Sequence, residues 1–280
     1  MPVRKETDLY APVKGFWEAR GYEVRGEVGH CDLVALRGEE EPVIVELKKT
    51  LNLPLLVQGL DRRRQSSQVY LAVETGKNGR APHGLKWSEL TRLCRMLGLG
   101  LLTVRFYSRK KPFVELLCEP EGACRQGERS PAANAAAASA NPEAVESASP
   151  DADSTGQEPV VPTAFSASLK PMKHRTARLV SEFRERSGDY NVGGSTKTKL
   201  VTAYRERALE CAEWLHRKGP LSPKQLRELT GSSKVSLMLR RNVYRWFERV
   251  ERGVYRLTPH GEDALQQFAH VLEAKRTPSP

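Results

Sequence analysis

Two acidic residues and one lysine stand out because they interrupt segments that are otherwise apolar enough for buried β-strands. Asp32 lies near the start of the segment 31–37, and Glu46 and Lys48 lie in the segment 43–48. A carboxylate inside such a strand costs free energy to bury unless it is paired or coordinates a cation. Two converging carboxylates make an oxygen-rich site for Mg²⁺ (or Mn²⁺), since Mg²⁺ keeps several waters and uses one or two protein carboxylates.

Glu46 and Lys48 are two positions apart, so their side chains share one face of the predicted strand. The ammonium group of Lys48 would then lie beside the metal. The metal would polarise a phosphoryl group and activate a water, and the lysine would orient that water or stabilise the developing negative charge. Leu47 points into the core, and its backbone carbonyl is a further candidate ligand. The pattern favours phosphodiester hydrolysis; an ordinary strand with a Glu46–Lys48 surface ion pair is the alternative.

The elements that must position these residues follow from apolar periodicity and from glycine and proline punctuation. The predicted order is α-β-β-β-α-β, followed by α-β-β. The helices are expected at 6–20, 53–65 and 86–97, and the strands at 22–27, 31–37, 42–47, 69–73, 100–106 and 113–118.

Asp32 and Glu46-Leu47-Lys48, in this element order, resemble the restriction-endonuclease-like superfamily of PD-(D/E)XK phosphodiesterases. The resemblance covers roughly residues 5–120 and implies an α/β fold with a restriction-endonuclease-like αβββαβ core. It also implies that Glu6 is a metal-site acid from the first helix and that Gln58 is a polar residue near the catalytic lysine. The motif's nominal proline is replaced by Cys31.

A narrower resemblance rests on four short segments of the same region. The segments 29–35, 45–48, 55–58 and 69–73 look like those of a bacterial family that is described as phosphodiesterases of this superfamily on sequence similarity alone. The resemblance therefore implies the same activity without adding independent support for it.

Basic and imidazole side chains lie close to the motif in sequence. Arg62 and Arg63, at the end of the second predicted helix, are candidates for contact with nucleic-acid phosphates. Arginines also suit a helix C-terminus, so a solvated helix end is the alternative. His30 precedes Asp32 and is a weaker candidate for the metal site, because most turn histidines serve no function.

Composition changes abruptly near Gly127. Residues 129–168 are mostly Ala, Ser, Pro, Asn and Glu, with almost no large apolar residues. Such a stretch cannot bury enough surface to offset the entropy of ordering it. We therefore expect a nuclease-like domain at 1–125 and a disordered linker at 126–168. A basic polar segment at 169–197 then either orders on nucleic acid or packs as an extension of a small, mostly α domain at 198–275.

The C-terminal domain has the pattern of a winged helix-turn-helix. Three helices are expected at 198–216, 222–231 and from 232 or 233, followed by strands at 247–250 and 253–257 and a last helix ending near Ala274. The third helix of such a fold enters the DNA major groove by its N-terminal part. The predicted DNA-facing residues are Lys234, Ser236, Arg240 and Arg241 on that helix and Arg249, Arg252 and Arg256 on the wing. A protein-binding winged helix is the alternative.

Charge and composition limit the partners. The chain carries a formal net charge of +11, and residues 169–280 hold 23 Lys and Arg against 12 Asp and Glu. This favours a polyanion, DNA more than RNA. No apolar run is long enough for a membrane span. The first residues lack the apolar core of a signal peptide, and the five cysteines include no CxxC pair, so we expect a cytoplasmic protein with reduced thiols and no structural zinc site.

These observations predict a Mg²⁺- or Mn²⁺-dependent nuclease that is tethered to a DNA-binding winged helix. The tether would raise the local concentration of DNA at the first domain. The alternative is a nuclease-fold protein without activity that binds DNA or regulates. A protein-only adaptor would leave the basic C-terminal half unexplained. The resemblance leaves a homodimer open, because many relatives act as dimers.

Overall fold

The computed structural model describes residues 5–76, 79–120, 170–195 and 198–276. The predicted linker and Cys124 lie outside these residues. The predicted α/β class is confirmed: a six-stranded mixed sheet is followed in the chain by helices and a two-stranded hairpin. In the described part, no helix is both long enough and apolar enough to cross a membrane.

The sheet and its helices occupy the first 118 residues in the predicted order. Short 3₁₀ turns also lie at Glu6–Leu9 and Pro82–Gly84. The helices are α1 (Tyr10–Glu18), α2 (Leu53–Arg62) and α3 (Trp87–Met96), and the strands are β1 (Glu23–Val28), β2 (Cys31–Leu36), β3 (Val43–Lys48), β4 (Val69–Glu74), β5 (Gly100–Arg105) and β6 (Phe113–Cys118).

The strands are ordered β1 to β6 across the sheet. β3, β4 and β5 are parallel, which requires the crossover helices α2 and α3, whereas the other neighbouring pairs are antiparallel and need only short turns. Because β2 and β3 are antiparallel, the start of β2 with Asp32 lies beside the end of β3 with Glu46 and Lys48. This edge of the sheet holds the residues singled out in the sequence.

Both faces of the sheet are covered by apolar side chains, and the strands accordingly read as nearly continuous apolar runs. One face is covered by Leu9 of the first 3₁₀ turn and by Val13 and Trp17 of α1, which lie in one cluster with residues such as Val45 of β3. α2 and α3 cover the other face, which includes Ile44 of β3. Alternation along β3 therefore places Glu46 on the α2 side, in a closely packed environment.

The C-terminal elements follow capping signals in the sequence. Thr202, Ser222 and Thr258 each cap a helix with their side chains, and Gly231 ends one in the left-handed conformation. The elements are α5 (Ala203–Lys218), α6 (Pro223–Thr230), α7 (Val235–Arg241), β7 (Phe247–Glu251), β8 (Val254–Leu257), α8 (Pro259–Gln267) and α9 (Ala269–Arg276). The single last helix predicted from the sequence is wrong, because its backbone leaves helical geometry at Phe268.

A helix that the sequence analysis did not predict, α4 (Lys173–Glu185), joins the two parts of the protein. Leu179 and Phe183 are almost fully buried in the cluster between α2 and the sheet. The Met172 N–H donates to the Arg64 carbonyl at 2.8 Å. Neither alternative drawn from the sequence for residues 169–197 included this packing on the N-terminal sheet.

Candidate active site

Three carboxylates lie in one row across β1, β2 and β3. The register pairs Gly26 with Leu33 and Val28 with Cys31, which sets Glu27 opposite Asp32. The pairing of Leu33 with Val45 likewise sets Asp32 opposite Glu46. Side chains directly opposite each other on adjacent strands point to the same face, and like charges there are destabilising. Such a row therefore calls for a compensating positive charge.

Asp32 and Glu46 are held by different donors. The Asp32 Oδ2 accepts a 2.8 Å hydrogen bond from the Leu47 N–H, which fixes the carboxylate at the end of β3. Glu46 is 2 % exposed, and its Oε1 lies 2.5 Å from the Nε of Arg62. The same guanidinium donates to the backbone carbonyl of His30. Arg62 thus bridges the end of α2, β3 and the β1–β2 turn.

Lys48 lies at the other side of the carboxylate row. Its Nζ is 3.1 Å from the Glu6 Oε2, and both side chains are about one-third exposed, at 33 % and 28 %. Lys48 also acts electrostatically on Asp32, whose pKa it helps to lower. The structure therefore places Lys48 beside Glu6 and within electrostatic reach of Asp32.

Residues 186–195, which we call the strap, run from the end of α4 to the carboxylate row. The Ser195 N–H donates to the Glu27 Oε1 at 3.1 Å. The Gly194 N–H faces both Glu27 and Asp32 and lowers the pKa of each. A Cβ on Gly193 would lie 2.2 Å from the Asp32 carbonyl oxygen, so only glycine fits there. The strap supplies one wall of the site.

Asp189 anchors the strap to the sheet and to α1. Its carboxylate accepts from the Tyr10 hydroxyl at 2.8 Å, from the Lys14 ammonium at 2.5 Å and from the Gly26 N–H at 2.8 Å. Arg186 is 3 % exposed and donates to the carbonyls of Gly26 and Glu27. These hydrogen bonds satisfy the charged groups of Asp189 and Arg186, as buried polar groups in a protein require.

Burial shapes the protonation of the row. Desolvation, followed by the charge of Asp32, raises the pKa of Glu46 to about 7. Desolvation also raises the pKa of Asp32, although the Leu47 N–H opposes this rise. The pKa of Glu27 is raised by burial and by Asp32. A divalent cation bound to these oxygens would remove the repulsion that favours their neutral forms.

The donor set fits Mg²⁺ or Mn²⁺ by its chemistry, since the row offers only oxygen ligands and these ions need one or two protein carboxylates. Within the described ranges, however, no three His, Cys, Asp or Glu side chains converge closely enough to hold a metal ion. Arg62 takes one oxygen of Glu46, and Lys48 takes one of Glu6. Coordination of a metal through the Oε1 of Glu46 would therefore compete with Arg62.

Three residues assigned from the sequence make contacts, or lack them, in ways that the sequence did not indicate. Gln58 is exposed on α2, and its side chain makes no hydrogen bond within the described part of the chain. Arg63 donates to the Leu97 carbonyl at 3.0 Å and packs over Gly98, away from the carboxylate row. Arg62 was predicted to contact phosphate, but its guanidinium is instead engaged by Glu46 and His30.

The predicted DNA-facing residues of the C-terminal part are largely on the surface. Lys234 is bound to Glu185 of α4 at 3.0 Å. In the described part, Arg256 also pairs with an acid, Glu248, at 3.0 Å. The others predicted on the third helix and the wing are exposed: Ser236, Arg240, Arg241, Arg249 and Arg252.

Glu27 and the strap are the site components that the sequence analysis missed. Glu27 lies at the end of a predicted strand, but its φ of +53° is unusual for a residue other than glycine. Nothing in the local pattern distinguishes it from a solvent-facing acid. The strap does carry a signal in Asn191-Val192-Gly193-Gly194-Ser195, because paired glycines mark a close backbone approach.

Comparison with known proteins gives one match. The sequence model of a family described as "Putative PD-(D/E)XK phosphodiesterase (DUF2161)" matches residues 152–264, which is less than half of the chain. The matched residues include α4 to α7, whereas Asp32, Glu46 and Lys48 lie before them. No curated protein and no solved structure shows significant similarity to the chain.

Proposed function

We propose that this protein is a metal-dependent phosphodiesterase that hydrolyses nucleic-acid phosphodiester bonds at the row of Glu27, Asp32 and Glu46. The description of the matched family supports phosphodiesterase chemistry. The observation that carries the proposal is the register that aligns three carboxylates, with Lys48 beside them. The αβββαβ element order is that of the restriction-endonuclease-like core to which we assign the domain.

Two residues of the row and three neighbouring residues have distinct roles in this proposal. Asp32 and Glu46 would hold Mg²⁺ or Mn²⁺, with the Leu47 carbonyl and Glu6 as further oxygen donors. When bound, the ion supplies a Lewis acid for the phosphoryl oxygen and lowers the pKa of a bound water. Lys48 donates to the attacking water or to the developing negative charge, while Glu6 holds its ammonium in place.

The C-terminal helices and hairpin would bring DNA to this site. Their order of three helices followed by a β-hairpin supports a winged helix-turn-helix. In such a domain α7 would enter the major groove, with Ser236, Arg240 and Arg241 exposed on it and Arg252 on the wing. DNA is the proposed partner, and the chain would act in the cytoplasm, as a monomer or a homodimer.

One observation favours a second function, that of a DNA-binding or regulatory protein without nuclease activity. The Arg62 guanidinium already neutralises Glu46 at 2.5 Å, in the position where a metal would otherwise do so. A permanent ion pair there would leave a nuclease fold that binds nucleic acid but cannot cleave it. The two functions differ in whether the protein binds a divalent ion.

The test is hydrolysis of labelled single- and double-stranded DNA and RNA in Mg²⁺, in Mn²⁺ and in chelator. We expect metal-dependent cleavage by the wild type and none by a folded Glu46→Ala/Lys48→Ala variant. Lys49→Ala is the matched control, because Lys49 directly follows the motif and is not part of the proposed site. Nucleic-acid binding without cleavage or metal binding would establish the second function instead.

A further inference from the structure

The N-terminal half of α4 and the residues just before it expose a group of cations. Lys170, Lys173, Arg175 and Arg178 are all exposed, and the first turn of α4 contains no acid. We call these four residues the α4 patch. None of them has an ion pair or hydrogen-bonded side chain within the described part of the chain. Cations clustered near the positive end of a helix repel each other and the helix dipole.

The C-terminal half of the same helix behaves differently, because its charges are paired. Arg184 lies 2.8 Å from Glu39, and Arg186 lies 3.3 Å from Glu182. Glu185 is shared by Arg207 and Lys234. These pairs fasten α4 to the sheet and to the C-terminal helices. The α4 patch has no comparable structural task, and its cations remain available to a ligand.

The buried face of α4 fixes the patch next to the site. Met172 is hydrogen-bonded to the Arg64 carbonyl, and the Thr176 hydroxyl donates to the Gln65 carbonyl at 2.6 Å. Leu179 packs against Gly29, where an added Cβ would approach it to 2.8 Å. Gly29 directly precedes His30, whose carbonyl holds Arg62 in its pair with Glu46. The helix that carries the α4 patch is therefore connected to the carboxylate row through Gly29, His30 and Arg62.

We infer that the α4 patch binds the phosphodiester backbone of the nucleic acid whose bond lies at the carboxylate row. The inference rests on the proposed function and adds a contact surface outside both the row and the C-terminal helices. Its fixed cations match the repeating charge of a nucleic-acid strand, and such contacts position a strand without reading its sequence. The patch would hold the strand on the α2–α4 side of the site.

The experiment compares two triple variants of the full chain with the same loss of charge. Lys173→Gln/Arg175→Gln/Arg178→Gln removes most of the patch. The matched control, Arg109→Gln/Lys110→Gln/Lys111→Gln, changes exposed cations between β5 and β6, near the sheet edge opposite β1. Binding of fluorescent duplex DNA, single-stranded DNA and RNA is measured in chelator over a series of salt concentrations, so that the result does not depend on cleavage.

We expect the patch variant to lose about tenfold or more in affinity. For duplex DNA, the slope of log K against log salt should become shallower by about 2 to 3, as expected for three lost phosphate contacts. The control should retain more affinity and a steeper slope. The charge-preserving Arg175→Lys/Arg178→Lys variant should bind like the wild type, and equal thermal unfolding temperatures would exclude a folding defect as the cause.

Two results would overturn the inference in distinguishable ways. A patch variant that binds every substrate as tightly as the control, with the same salt dependence, contradicts the α4 contact and leaves the proposed function standing. A wild type that binds none of the three nucleic acids at low salt contradicts both. The substrate whose binding loses most in the patch variant identifies the strand type that the surface holds.

Discussion

Gly193 lies against the backbone of Asp32 so closely that a Cβ at position 193 would stand 2.2 Å from the Asp32 carbonyl oxygen. The segment that follows the predicted linker therefore touches the backbone of a proposed metal ligand. Because Ser195 and Gly194 also reach Glu27, movement of the strap would alter two members of the carboxylate row.

We predict that Gly193→Ala lowers the free energy of unfolding by about 1–3 kcal/mol, the usual cost of overpacking. It should also slow cleavage by about 10- to 100-fold, because small displacements of reacting groups are costly. Urea unfolding and single-turnover cleavage measure the two effects. Gly15→Ala is the control, since nothing lies within 4 Å of a Cβ there. Equal behaviour of the two variants would contradict contact between the strap and the site.

The ion pair of Arg62 with Glu46 gives a second prediction. Arg62→Gln leaves Glu46, which is 2 % exposed, without its guanidinium partner. Because Glu46 can then take up a proton, the cost in the metal-free protein at neutral pH should be about 1–3 kcal/mol. Mn²⁺ should raise the unfolding temperature of this variant more than that of the wild type, because no guanidinium competes for Glu46. Calorimetry with and without Mn²⁺ measures the difference.

Arg63→Gln serves as the comparison for the Arg62 variant, because Arg63 donates to the Leu97 carbonyl and not to a carboxylate. Its destabilisation should not depend on Mn²⁺. If Mn²⁺ shifted the unfolding temperature of both variants and of the wild type equally, Arg62 would not compete with a metal for Glu46.

Protonation of Glu46 gives a pH dependence. Its pKa rises from an ordinary value of 4.5 to about 7 in the folded protein. The folded state therefore binds this proton more tightly than the unfolded state, and the resulting stabilisation is complete below about pH 4.5 and is lost as the pH rises through about 7. Urea unfolding of the metal-free protein should show this loss, and Glu46→Gln should reduce it. An unchanged pH profile in the variant would contradict the assignment.

The buried residues of α4 predict that the N-terminal part is not fully stable by itself. A fragment of residues 1–125 lacks Leu179 and Phe183, which fill the cluster between α2 and the sheet. Burial of two such side chains contributes about 3–6 kcal/mol as an upper estimate. We expect the fragment to unfold at lower urea concentration than the full chain, and a separate fragment of residues 169–280 to restore its stability. A fragment as stable as the full chain would contradict this packing.

The elements of the sheet could be predicted from the sequence because their signals are local. The apolar runs of β2 to β5, separated by a glycine-containing turn or by a helical pattern, indicate the strands, and the two-residue spacing of Glu46 and Lys48 indicates their common face. The helices between β3, β4 and β5 are also consistent with the parallel pairing of these strands, since parallel pairs need a crossover connection.

The full membership of the carboxylate row could not be predicted, because it depends on contacts between residues that are distant in the sequence. Glu27 joins it only through the register of β1 with β2, and its backbone adopts a conformation that no strand pattern indicates. α4 has few apolar residues, and its buried ones, Leu179 and Phe183, pack in a cluster with residues that lie at least sixty positions earlier in the chain. The contact of Arg62 with Glu46 could not be predicted for the same reason, because the partner of a helix-end arginine depends on the three-dimensional fold.

Asp32 and Glu46 are proposed to bind the ion that supports cleavage. The test is single-turnover cleavage of the best substrate, measured as a function of Mn²⁺ concentration. It compares the wild type with Asp32→Asn, with Glu46→Gln and with the control Lys49→Ala. We predict that the control follows the wild type, whereas the two carboxylate variants lose cleavage by about 100-fold or more or need far higher Mn²⁺, because each removes a charged ligand. Metal-dependent cleavage that is unchanged in both carboxylate variants would contradict the account.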